Sequence, residues 1–217
     1  MMTTAGDKTQ VGGPLERLWR RLRRRPQPIA TVESLKTLLE TRAAFIAQKC
    51  AVDYCRGKTG LASYALFTER TFLDALDVCR WETFAAVLSD LAIMVEGHLR
   101  PHAARECRSG LNQAMLRLYS EILEAMPLPV HRPQGWSDMT AAFRLRLEKV
   151  ARGEPRRALD VADHSAKRLF DTLPIHGSMR ELDEEIVYGA VRFRMIAVGQ
   201  EMERMLAAAD LLRELTA

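Results

Sequence analysis

Apolar residues recur every three or four positions along almost the whole chain, and no stretch holds the two-residue alternation of a half-buried strand. That spacing predicts an all-α bundle. Leu35, Leu38, Leu39, Ala43, Ile46 and Cys50 make one face of a first body helix over residues 31–56, with Thr31 as its N-cap and Gly57 and Gly60 at its end. Residues 61–99 keep the helical period and contain no Pro or Gly before Gly97. One helix of that length would run ~58 Å, against ~45 Å for a compact chain of this size, which predicts a break near residues 77–82.

Pro101 opens a helix to about residue 126 that turns Cys107, Leu111, Ala114, Leu118 and Ile122 inward. Pro127, Pro129, Pro133 and Gly135 make residues 127–136 a loop. Helices over 137–152 and 155–173 follow, then a turn at 174–177. Ser178 and Glu181 have the spacing of a capping box and start a helix toward residue 215, with Gly189 and Gly199 as the places where it bends. The sum is about six or seven body helices in one domain over residues 29–217, with the 127–136 loop as a boundary between two sub-bundles.

Residues 1–28 read differently. Leu15, Leu18, Trp19 and Leu22 form a single helical stripe, and Arg17, Arg20, Arg21 and Arg24 occupy the rest of the circumference. Pro14 suits a first helical position and Pro26 stops the helix. This arm carries the charge of the chain. Residues 1–25 hold seven basic and two acidic groups, whereas the whole 217-residue chain has a net charge of only +4. The body is therefore close to neutral, and any argument for an anionic partner runs through the arm. A stripe with a tryptophan calls for something apolar beneath it. An anionic membrane surface or a partner protein's groove supplies that, as does the protein's own body, while nucleic acid, which needs only the arginines, fits less well.

The rest of the composition narrows the classes. Apolar residues make up 47 % of the chain, enough for a core, and no apolar run approaches the length of a membrane span. The first residues lack the apolar segment of a signal peptide, and Cys50, Cys55, Cys79 and Cys107 form no CxxC pair. Free thiols in the cytoplasm are the expectation, with peripheral attachment to the inner face of a membrane if the arm finds one.

Candidate chemistry is sparse. His98, His102 and Glu106 have the i, i+4, i+8 spacing of a metal-binding face, but Pro101 interrupts the helix between the histidines. Asp160, Asp163 and His164 are a poor substitute for the Glu-x-x-His pairs of a di-iron bundle. Gly57 and Gly60 lack the spacing of a phosphate loop. Neither a metal nor a cofactor is expected. Asp53, Tyr54 and Lys58 mix charge with apolar neighbours, as do Arg70, Asp77 and Arg80. Asp53 meeting Arg70 or Arg80 beside Trp81 is the candidate pocket, with Tyr64 and Trp136 as further aromatic walls. The leading functional expectation is a non-enzymatic interaction or adaptor module. A helical enzyme or small-ligand binder using that pocket is the alternative. Met195, Val198, Met202, Met205, Ala209 and Leu212 form a C-terminal apolar face that predicts a homodimer, unless the chain covers it itself.

Each arginine near an anionic surface adds ~1 kcal/mol of attraction, and salt screens it. Sedimentation with vesicles containing anionic lipid is therefore expected to carry down the full chain weakly at low salt and less at high salt. Equal binding by a truncation lacking residues 1–26 would remove the arm from this account.

Overall fold

The computed structural model describes residues 28–156 and 158–216. The residues of the arm picked out above, Leu15, Arg17, Leu18, Trp19, Arg20, Arg21, Leu22 and Arg24, lie outside them. In chain order the helices are α1 Val32–Thr59, α2 Ser63–Leu66, α3 Arg70–Leu99, α4 Arg108–Ala125, α5 Ser137–Ala151, α6 Ala158–Thr172, α7 Gly177–Arg180, α8 Glu184–Met205 and α9 Ala208–Leu215. The protein is an all-α helical bundle, as the spacing predicts. Apart from the single turns α2 and α7, seven helices are described, each of 8 residues or more.

α3 is the axis of the bundle. Every residue from 82 to 96 is buried, which requires neighbours on all sides of the helix. α1, α4, α5, α6, α8 and α9 supply them. The break expected near residues 77–82 does not occur, and α3 runs unbroken for 30 residues. The chain turns earlier, where α1 passes straight through Gly57 and stops at Gly60, whose φ of 52° a side chain would disfavour. At its start α1 has the expected Thr31 cap. The Ser34 amide donates to the Thr31 hydroxyl and the Thr31 amide donates to the Ser34 hydroxyl, both at 3.2 Å.

Further expectations are corrected. After Pro101 the chain makes two 3-10 turns, Arg100–His102 and Arg105–Cys107, before α4 begins. Cys107 is consequently exposed, while Leu111, Ala114, Leu118 and Ile122 point inward as expected. At the other end, the Ser178 and Glu181 capping box does not form. The His176 ring accepts from the Ser178 amide instead, and α7 lasts one turn. The long C-terminal helix breaks at Leu206 and Ala207, not at Gly189 or Gly199. The cause is a tertiary contact. Ile29 pairs with Leu206 as an isolated parallel bridge, its amide donating to the Met205 carbonyl at 2.7 Å and its carbonyl accepting from the Ala207 amide at 3.0 Å. Gly199 has another use, since a Cβ there would stand 3.1 Å from the Met94 methyl of α3, so its absence lets α8 lie close. Met195, Val198 and Met202 are buried against the chain's own helices, and Ala209 is exposed. Half of the face that predicted a homodimer is thus core, while Met205 and Leu212 are half-buried.

Four charged side chains of the α3 region are buried with the apolar ones: Glu82, Asp90, Glu96 and Arg100. None is left alone. Glu82 accepts from Arg132 in the α4–α5 loop and from Arg168 on α6, with the His131 ring at 3.0 Å. Asp90 accepts from Arg146 on α5 and, at 3.1 Å, from the Ser165 amide on α6. Arg100 donates to Glu96 at 2.6 Å and to the Gly153 carbonyl, also at 2.6 Å, which ties down the α5–α6 connection. Removing one member of such a set leaves a buried charge uncompensated and costs about 3–5 kcal/mol.

Burial pushes the Glu82 carboxyl up, but the hydrogen bonds from Arg132, Arg168 and His131 outweigh it and hold the pKa at about 2, below the ordinary 4.5. A depressed carboxyl contributes stability that is complete above pH 4.5 and disappears as pH falls toward 2, here about 3 kcal/mol. Urea denaturation at stepped pH is expected to show that loss for the wild type. Glu82→Gln should be less stable at pH 7 and show a flatter acid limb; an unchanged acid limb would take Glu82 out of the explanation.

Candidate functional site

α1 and α8 run antiparallel, and three ion pairs mark their register. Arg42 donates to Glu201 at 2.7 Å near the start of α1, Arg194 donates to Asp53 at 3.1 Å further along, and Lys58 donates to Asp183 at 2.7 Å near its end. Between the last two pairs the helices leave a groove of about 430 Å³. Leu169 of α6, Val187 and Cys50 lie at its base, with Ile186, Ala190 and Tyr54 along its sides. Two small residues keep it open. Ala190 extends only a methyl group, and a Cβ added at Gly57 would meet nothing within 4 Å. Ile186 on the rim of the groove and Phe193 beyond it are 64 % and 73 % exposed, an apolar edge seven residues apart on α8.

The polar groups sit at the two ends. At one end the Tyr54 hydroxyl donates to Asp183 Oδ2 at 2.8 Å, and Lys58 donates to the same oxygen. These two hydrogen bonds hold the Asp183 carboxyl below its ordinary range. Burial first, and then the Asp183 carboxylate, push the Tyr54 phenol well above its ordinary value of 10. At the other end Asp53 accepts from Arg194 and, at 2.8 Å, from Lys49, while Arg194 also donates to the Ala190 carbonyl at 3.0 Å. Burial pushes the Cys50 thiol up to about 11. The groove therefore presents two carboxylates paired with cations and, at neutral pH, a protonated phenol and a protonated thiol. Such a set can orient a polar group at either end.

The residues picked out by sequence are divided. Asp53 lines this groove. Arg70 does not reach it; it lies at the exposed start of α3 and pairs with Asp74 at 3.0 Å. Arg80 pairs with Asp77 at 3.7 Å and lines a separate crevice with Trp81, of about 150 Å³, between α1 and α3. The expected meeting of Asp53 with Arg70 or Arg80 fails because Asp53 is on the side of α1 that faces α8. Trp81 and buried Trp136 are neighbours, with ring centroids 6.3 Å apart, but Tyr64 is 85 % exposed and joins no common pocket with them. His98 is half-buried at the end of α3 and His102 is exposed in the following turn. Among the described residues no group of three or more His, Cys, Asp or Glu is placed to hold a metal ion. Asp163 pairs with Arg192 at 2.8 Å, and His164 stands 3.2 Å from buried Asp90.

Arg194, Asp183, Ile186 and Ala190 were missed. A signal for them exists in the sequence. Asp183, Ile186, Val187, Ala190 and Arg194 fall on one helical face with apolar positions in the middle and opposite charges at the ends. Asp53, Gly57 and Lys58 repeat that arrangement on α1. No protein-family model matches the chain, no curated protein matches it, and no solved structure matches it.

The Tyr54 and Asp183 contact has a spectroscopic consequence. Asp183→Asn removes the negative charge that helps keep the phenol protonated, so the Tyr54 titration is expected to move back toward the ordinary tyrosine range. Difference absorbance of phenolate between wild type and variant over an alkaline titration reads this directly; superimposable curves would mean that the two groups are uncoupled.

Proposed function

We propose that the protein is a non-enzymatic binding module whose groove between α1 and α8 receives a small amphipathic ligand. One observation carries this reading: a largely apolar groove of about 430 Å³ closed at each end by an ion pair. Its size falls in the range of about 300–1,000 Å³ that small-molecule sites occupy, and apolar walls with a few fixed polar groups are the usual make-up of such sites. From Asp183 to Arg194 is eleven residues of helix, ~16 Å. The ligand that suits this shape has an apolar chain or ring system of about that length and a carboxylate or similar anion directed at Arg194 or Lys58. The protonated thiol and phenol, and the already paired carboxylates, speak for holding a ligand over transforming one. The basic arm adds a second contact on this reading, with an anionic membrane surface or partner. Its support is the stripe of Leu15, Leu18, Trp19 and Leu22 among arginines. Among the described residues no helix is long and apolar enough to cross a membrane.

The groove can be tested by filling it. An environment-sensitive naphthalene sulfonate dye is expected to bind with enhanced fluorescence and to be displaced by saturated fatty acids of eight to twelve carbons. Ala190→Trp, which puts an indole into the slot, should weaken dye binding at least about tenfold (~1.4 kcal/mol) with little change in helicity. Phe193→Trp, on the outer edge, should leave it nearly unchanged. Dye binding insensitive to Ala190→Trp would place the ligand elsewhere.

A further inference from the structure

The reading above leaves open which end of the groove takes the anion of its ligand. Four charged side chains line the groove, Asp53, Lys58, Asp183 and Arg194, two of each sign, so the answer lies in how each pair is engaged. At the Asp183 end the donors are spent on one atom. The only O–H of Tyr54 goes to Asp183 Oδ2 at 2.8 Å, and Lys58 donates to the same oxygen at 2.7 Å. A second carboxylate brought there would face the Asp183 charge with no further cation on the groove wall. Arg180 adds a positive charge near Tyr54, but its guanidinium stacks on the Phe170 ring at 4.9 Å, with Nε and Nη1 buried, and it does not line the groove.

The Asp53 end holds a surplus of positive charge. One carboxylate serves two cations there: Arg194 donates to Asp53 Oδ2 at 3.1 Å, and Lys49 donates to Oδ1 at 2.8 Å. These are also the three charges felt by the Cys50 thiol at the base of the groove. The neighbouring pair does not cancel the surplus, because Arg42 and Glu201 are joined to each other by two hydrogen bonds, at 2.7 and 2.5 Å. Arg194 also keeps donors in hand. Its Nη2 donates to Asp53 and its Nη1 to the Ala190 carbonyl, while its Nε donates to nothing among the described residues. The side chain lines the groove and is still 21 % exposed, so a ligand can reach it.

We infer that Arg194 is the anion receptor of the groove: a monocarboxylate sets its head on Arg194, Lys49 offsets Asp53, and the apolar chain runs over Ala190 and Val187 toward Gly57. The inference rests on the groove being the binding site, and it narrows the ligand to a chain with one charged head. A second carboxylate at the far end of such a chain would be set against Asp183, and an alkylammonium would find no carboxylate on the groove wall that lacks a cation.

Calorimetric titration of the full chain at neutral pH with decanoate, and with decanol as a neutral ligand of the same chain length, reads the ratio of acid to alcohol affinity. Arg194→Gln is expected to lower that ratio at least about tenfold, and Arg194→Lys to keep part of it. Asp53→Asn removes the competing anion and leaves both cations, so it should raise the ratio several-fold, a gain that mere structural damage does not produce. Lys58→Gln should leave the ratio unchanged, whatever it does to the two affinities together. A ratio that falls with Lys58→Gln and not with Arg194→Gln puts the head at the other end and overturns the assignment, as does a ratio that neither variant moves. If neither ligand binds the wild type, or both bind Ala190→Trp as tightly, the groove reading itself fails and takes this inference with it.

Discussion

The bundle depends on satisfying the charges carried by a helix with no free side. An unpaired carboxylate inside α3 would be untenable in a medium that cannot solvate it. Glu82 and Asp90 draw the α4–α5 loop with α6, and then α5 with α6, onto the axis, and Arg100, held by Glu96, takes the α5–α6 connection. Apolar burial alone is non-directional and would tolerate these elements sliding along α3. Fixed polar contacts at three heights do not. The carboxylates therefore act as register marks, and the helices placed by them include α6, whose Leu169 forms part of the base of the α1–α8 groove.

That groove is a consequence of how α8 is held. Gly199 lets α8 approach α3 closely near its C-terminal end. Toward its N-terminal end α8 meets α1 through side chains, Arg194 with Asp53 and Asp183 with Lys58 and Tyr54. Close contact at one end and long polar bridges at the other leave space between the bridges. Filling that space with larger residues at Gly57 or Ala190 would add buried apolar area, and the sequence has small ones there. Small residues beside an open apolar slot are what a binding role needs and what packing alone would not select.

Much of the fold was legible from spacing. The Thr31 cap, the inward faces of α1 and α4, and the 127–136 loop follow from local chemistry that a sequence displays. The errors share a cause. A break was placed inside α3 from an argument about length, yet the turn lies just beyond Gly60, and the helix is free to be long because it is the axis. The break at Leu206 and Ala207 has no Gly or Pro to announce it and exists because Ile29, far away in sequence, takes the backbone groups there. Cys107 was read as inward because its spacing matches α4, but the helix starts one residue later. At the candidate site Asp53 was found because charge interrupts an apolar face locally. Its partner Arg194 stands 141 residues away, and local pattern does not say which of the chain's many arginines crosses to it.

The bridge at Ile29 also ties the start of α1 to the turn between α8 and α9. Close by, Glu214 accepts from the Val32 amide across 182 residues of sequence. A contact spanning almost the whole length is costly in loop entropy and cannot form until both ends exist. During synthesis the start of α1 must wait for α8 and α9 to be made, so this clasp belongs to the last events of folding. The same proximity makes the described bundle close to circular: joining residue 216 to residue 28 by a short linker and opening the chain at an exposed loop such as 127–136 would keep the neighbours of α3 while making the clasp local. The order in which the helices assemble is thus set by where the chain is cut, and the final architecture is not.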